Sequence, residues 1–154
     1  MVPSISNSWF KINPGQIGFY RVKYTDDQFN HLCKIVNTFS EVDRICLLGD
    51  ASALAKAGHL ETTRVLTLLQ QFAGENEFLV WSEISSCLRG LSFLYASQPF
   101  FPLFKKYAIT IFTGIAEKLG LFSPTLLEDL QKEKPDPLRM VFHFFFFFLN
   151  FMFD

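Results

Sequence analysis

Between Trp9 and Tyr24 apolar and polar residues alternate with a period of two, as the side chains of a β-strand do. Phe10 and Ile12 fall on one face of a first strand. Tyr20, Val22 and Tyr24 share one face of a second, with Phe19, Arg21 and Lys23 on the other. Asn13-Pro14-Gly15-Gln16 fits a type II turn between them, since Pro14 presets φ and Gly15 tolerates the positive φ required next. Gly18 suggests a bulge or a close backbone approach. The pattern predicts a β-hairpin over 9–24. A lone hairpin is marginal in water and needs a further strand or a helix to cover it, yet nothing after it reads as strand.

From Thr25 the period changes to that of a helix. Thr25-Asp26-Asp27-Gln28 reads as a capping box, followed by Phe29, Leu32, Cys33 and Val36 on one stripe. Ser40 is placed to cap a second helix, with Glu41 and Asp43 in its dipole-favoured first turn, Val42, Ile45, Leu48 and Leu54 as its buried side, and Gly58 closing it. A third helix is predicted from about Thr62 to Phe72, with Val65, Leu66, Leu69 and Phe72 inward. A fourth, from about Glu77 to Tyr95, carries Trp81, Ile84, Leu88, Leu91 and Tyr95. After Pro99 and Pro102, a fifth carries Phe104, Ala108, Ile111, Phe112, Ile115 and Leu119 and ends at Gly120; Ser123-Pro124 could open a short sixth. Short loops and wide stripes predict a mostly α fold: the hairpin, then antiparallel helix pairs of a truncated HEAT-like α-solenoid. A compact bundle would satisfy the same pattern.

The run "MVFHFFFFFLNFMFD", Met140 to Asp154, has neither period. It is shorter than the roughly 18 residues a spanning helix requires, and His143 and Asn150 interrupt it. A membrane-touching anchor and an aggregation-prone strand are both conceivable, but five consecutive Phe residues require a thymine-rich coding stretch, as near introns. Residues 135–154 therefore read as a Pro/Phe-rich tail foreign to the domain, and no membrane partner is expected. The start, "MVPSISNSW", has no basic or apolar signal region.

Composition narrows the function. A net charge of −1 with acids and bases mixed gives no basic stripe, so no nucleic-acid partner is expected. The three cysteines, Cys33, Cys46 and Cys87, are too sparse for a disulfide framework or a zinc site, and favour a reducing, cytoplasmic setting. No H-E-x-x-H, G-x-S-x-G, P-loop or G-x-G-x-x-G occurs. His31 and His59 read as surface residues. Asp43-Arg44 reads as a capping acid beside a guanidinium that holds a neighbouring turn. Glu75, Glu77 and Glu83 read as solvated carboxylates around a loop, and Lys105-Lys106 is too short to define an anion site. No catalytic, cofactor-binding or metal-binding residue is assigned.

Three blocks in collinear order carry a more specific signal: "WFKINPGQIGFYRVKY", "DRICLLGDASALAKAG" and "ENEFLVWSEI", continued by "FTGIAEKLG". Together they resemble the C-terminal region of the gluzincin zinc aminopeptidases, the family of puromycin-sensitive aminopeptidase, aminopeptidase N and the endoplasmic-reticulum aminopeptidases. Leu121 departs from the tryptophan often found there in the family. The resemblance implies a helical array of HEAT-like pairs over 25–134 that forms lid and peptide-chamber wall in the full enzyme, with 9–24 at the junction with a β-sandwich. It also implies that zinc and the catalytic residues belong to another domain, so this chain alone would be non-catalytic and would meet peptide substrate only with that domain. Gly18 and Tyr20 at the junction, Asp43 and Arg44 at a helix start, and Trp81 as a core anchor stay structural. A helical stack cut short exposes apolar surface, so self-association through an exposed helical face is expected. The alternative is a free-standing HEAT-like protein-interaction module.

Overall fold

A computed structural model of the chain describes residues 9–118. Leu119, Gly120, Leu121, His143, the sixth helix and the 135–154 tail lie outside the described residues. Five helices follow one another: α1 (Asp26–Ile35), α2 (Glu41–Lys56), α3 (Thr62–Gln70), α4 (Phe78–Tyr95) and α5 (Phe101–Lys118). The fold is mostly α, and no β-strand forms among the described residues. The chain divides between Gln71 and Phe72 into two compact units, each described by itself. The division falls inside the single helical region expected over 25–134.

The predicted hairpin over 9–24 is replaced by an irregular strap. The type II geometry at Pro14-Gly15 is present: Gly15 has φ 69° and ψ 7°, and the Gln16 amide donates to the Asn13 carbonyl at 3.1 Å. That turn type splays the flanking chain, whereas two-residue hairpins use the mirror-image turns. Asn13 and Gln16 also take left-handed conformations, with φ 58° and 55°. The Asn13 side chain closes the loop by accepting from the Gly18 amide at 2.8 Å and donating to the Gly18 carbonyl at 2.9 Å. Backbone groups that a ladder would pair are engaged by side chains instead. Tyr20 crowds Gly18 closely enough that a Cβ there would meet its ring.

In the first unit the α1 stripe is observed as expected, with Phe29, Leu32, Cys33 and Val36 buried. Thr25 stands at the N-cap in an extended conformation but makes no side-chain cap bond. Asp26 and Asp27 supply the favourable charge of that first turn. After a 3-10 turn, Val36–Thr38, the Ser40 hydroxyl accepts from the Asp43 amide at 3.2 Å, and Arg44 Nη1 donates to the Phe39 carbonyl at 2.7 Å. Both members of the Asp43-Arg44 pair thus hold the corner into α2. The buried side of α2 differs in part from the expected one, Leu48 being buried as expected. Val42 is exposed and Ile45 and Leu54 are half-buried, while Cys46, Leu47, Leu48, Asp50, Ala51 and Ser52 are buried. α2 packs against α3, and Arg64 of α3 pairs with Asp26 at 2.8 Å and lies over the Phe29 ring.

In the second unit Trp81 is fully buried, donates its indole N–H to the Glu75 carbonyl at 3.1 Å, and stands 5.3 Å from the Phe112 ring. Ile84, Leu88 and Leu91 continue the α4 stripe, and Phe104, Ala108, Ile111, Phe112 and Ile115 that of α5, which packs against it. Pro102 sits in the first turn of α5, where its missing donor breaks no helical bond. Glu75 departs from the solvated role expected of it. It is buried, and one carboxylate oxygen accepts from the amides of Asn76 and Glu77 at 2.8 and 2.9 Å, organising the entry to α4.

Gly58 ends α2 in a Schellman arrangement. Its φ is +74°, its amide donates to the Ala55 carbonyl at 3.0 Å, and the His59 amide donates to the Leu54 carbonyl at 2.8 Å. A Cβ there would meet nothing within 4 Å, so the cost of a side chain is conformational. Gly58→Ala should lower stability by about 1 kcal/mol, and Gly58→Asn by less, because asparagine tolerates the left-handed region. Urea titration followed by far-ultraviolet circular dichroism measures both.

Candidate functional site

The densest polar construction among the described residues joins the strap to α2. Asp43 and Asp50 are seven residues apart, two helical turns, and so point from the same face, with Cys46 and Leu47 between them. Asp43 Oδ1 receives the Lys11 ammonium at 2.7 Å and the Gly15 amide at 2.9 Å. Its Oδ2 accepts from the Ser40 hydroxyl at 2.8 Å. The Lys11 side chain is only 7 % exposed and also donates to the Asn13 carbonyl at 3.3 Å. At the other end both oxygens of Asp50 are used: Oδ1 pairs with Arg21 Nη1 at 3.0 Å, and Oδ2 accepts from the Val22 amide at 3.1 Å. The Asp50 side chain is buried, whereas Arg21 is half-exposed.

Between these catches the Ile12 amide donates to the Tyr24 hydroxyl at 3.0 Å. Burial raises the Tyr24 phenol above its ordinary value, against the Ile12 contact and the Lys11 charge. Burial, then the Asp50 carboxylate, raises the Cys46 thiol. Burial would also raise the Asp43 carboxyl, but the Lys11 ammonium, the Gly15 amide and the Ser40 hydroxyl outweigh it and hold the group below the usual carboxylate value.

The outward side of the strap is apolar. Ile17, Phe19 and Tyr20 are exposed, and Gln16, Gly18, Phe19, Tyr20 and Arg21 line a recess of about 340 Å³. Gly18 and Tyr20, read from sequence as junction residues, therefore sit on this surface. Trp9 stacks on His31 at 6.3 Å and lies 6.0 Å from Phe39. His31 and His59 are exposed, as expected, and Cys33, Cys46 and Cys87 are free and buried.

Among the described residues no group of three or more His, Cys, Asp or Glu could hold a metal ion. Asp43 and Asp50, about 10 Å apart along α2, each already face a cation, Lys11 and Arg21. These residues do not fit zinc. No helix among the described residues is long and apolar enough to cross a membrane. Sequence reasoning missed Asp50 and Lys11; the signal available was two acids at a two-turn spacing opposite a basic, alternating segment.

Because the folded Asp43 carboxyl titrates below its unfolded value, its contribution is complete above the unfolded pKa, about 4, and fades as pH falls through the folded one. Stability at pH 7 should exceed that at pH 3. Asp43→Asn should cost about 1–2 kcal/mol at pH 7 and reduce the pH 7 to pH 3 difference. Urea midpoints of both proteins at the two pH values measure this.

Comparison with known proteins identifies the family. The family described as ERAP1-like C-terminal domain matches residues 9–134. The chain is 34 % identical over 94 residues to the alanine/arginine aminopeptidase of Saccharomyces cerevisiae, covering 61 % of the chain and 11 % of that protein. It is 26 % identical over 129 residues to aminopeptidase N of Plutella xylostella, covering 80 % and 14 %. With glutamyl aminopeptidase of Homo sapiens the identity is 32 % over 119 residues, covering 74 % and 12 %. The matched chain thus spans only 11–14 % of the length of these three relatives. The match begins at Trp9, the first described residue of the strap, and runs through both helical units: the chain belongs to the family of ERAP1-like C-terminal domains.

Proposed function

We propose that the chain serves as part of the C-terminal helical domain of a zinc aminopeptidase, contributing lid and peptide-chamber wall while another domain carries zinc and catalysis. The observation that carries this reading is the single collinear family match over 9–134. The chemistry within the chain agrees with it. The carboxylates of the candidate site hold the strap. In this reading α2–α3 and α4–α5 are each a HEAT-like helix pair, and the exposed Ile17, Phe19 and Tyr20 meet the domain that precedes the strap. The buried free thiols suit a reducing, cytoplasmic compartment. Apart from its partner domain, the chain would self-associate through exposed Phe93, Leu94 and Leu103.

The 154-residue chain, assayed with alanyl and glutamyl fluorogenic substrates in the presence of zinc, should show no turnover. Zinc-dependent hydrolysis would overturn the non-catalytic assignment. The genomic sequence upstream of Met1 should encode H-E-x-x-H in the same frame; an in-frame stop before any such motif would instead favour a free-standing interaction module.

A further inference from the structure

We propose that residues 11–22 form a detachable strap, with Asp43 and Asp50 as its two catches, which opens from α2 while the helices of the first unit stay folded and thereby uncovers Cys46. The inference rests on the local geometry alone and is independent of the proposed enzymatic parent.

Three observations carry it. First, the attachment is mostly polar. From Lys11 to Arg21 the covered groups are Asn13 and the Lys11 side chain, both polar, and the exposed positions include Ile12, Ile17, Phe19 and Tyr20. The one buried apolar side chain of the strap is Val22, at its end, with Tyr24 anchoring the chain beyond it. Segments with few buried apolar contacts open at lower free energy than packed helices. Second, the contacts concentrate at two points on one helix face: Lys11 and Gly15 on Asp43, Arg21 and Val22 on Asp50. A third bond, from the Ile12 amide to the Tyr24 hydroxyl, must also break on lifting, whereas the tie from Asn13 to Gly18 lies within the strap and can persist. Third, Cys46 lies on the same face between the catches. It is 2 % exposed, and its Sγ donates to Asp50 Oδ2 at 3.9 Å. Cys33, by contrast, belongs to the stripe of α1 and feels Arg64 of α3 rather than the strap. Lifting the strap exposes Cys46 and leaves Cys33 covered.

The two thiols fall in separate tryptic peptides, Tyr24 to Lys34 and Ile45 to Lys56, so pulse labelling of the full chain with N-ethylmaleimide, read by mass spectrometry, follows each rate separately. Cys46 should react at least about ten-fold faster than Cys33. Arg21→Ala removes one charge-assisted bond from a half-exposed position and should accelerate Cys46 by about ten-fold without changing Cys33. Lys11→Ala should act in the same direction at the other catch. Circular dichroism must show unchanged helix content in both variants. Equal rates for Cys46 and Cys33 in the unaltered chain, or an Arg21→Ala effect that is absent or shared by both thiols, would overturn the proposal.

Discussion

The buried carboxylate of Asp50 is the constraint around which the first unit is arranged. A charge this well removed from water is tolerated only when paired and hydrogen-bonded. Arg21 and the Val22 amide satisfy it together, one on each oxygen, so two consecutive strap residues are fixed against α2. Asp43 repeats the device two turns earlier with Lys11 and Gly15. Seven helical residues place the catches about 10 Å apart, whereas Lys11 to Val22 fully extended would span about 35–40 Å. The chain must take up that slack. The left-handed residues Asn13, Gly15 and Gln16 do so, and the Asn13 side chain closes the resulting loop on Gly18.

The same numbers explain which parts of the fold were legible in the sequence. Ser40 and Gly58 announced the ends of α2 because capping is a local, stereochemical requirement. The stripes of α1 and α5 were legible because their buried faces are apolar throughout; on α3 Leu68 is buried while Leu66, expected inward, is half-buried, and the α4 stripe admits Ser92, whose hydroxyl donates to the Leu88 carbonyl. α2 was misread because one of its buried positions is an aspartate, a residue that hydropathy places in water. A stripe drawn through apolar residues alone takes in Val42 and Ile45, which are exposed and half-buried. The strap was misread for a related reason. Alternating aromatic and β-branched residues suit any extended chain that shows its two sides to different surroundings. Nothing in that alternation says whether the backbone pairs with another strand or with carboxylates. Glu75 repeats the lesson in the second unit, where the acid is buried against the amides that open α4.

Family membership and local chemistry meet at the strap. The match to the ERAP1-like C-terminal domain begins at Trp9, so the segment held by Asp43 and Asp50 is itself part of the family's domain. The candidate site is mechanical in character: charges that could have formed a binding or catalytic constellation are neutralised in place by Lys11 and Arg21. Ile17, Phe19 and Tyr20, which remain outward, lie on the strap. Whatever meets them is therefore coupled to α2 through two carboxylates.

The pairing of the strap is the point on which this account stands, and nuclear Overhauser contacts in the isotopically labelled full chain test it most directly. The account predicts contacts from the Val22 amide to the Asp50 side chain and from the Ile12 amide to the Tyr24 ring. A ladder of Hα–Hα contacts pairing Phe10–Ile12 with Tyr20–Tyr24, as in a hairpin, would contradict it.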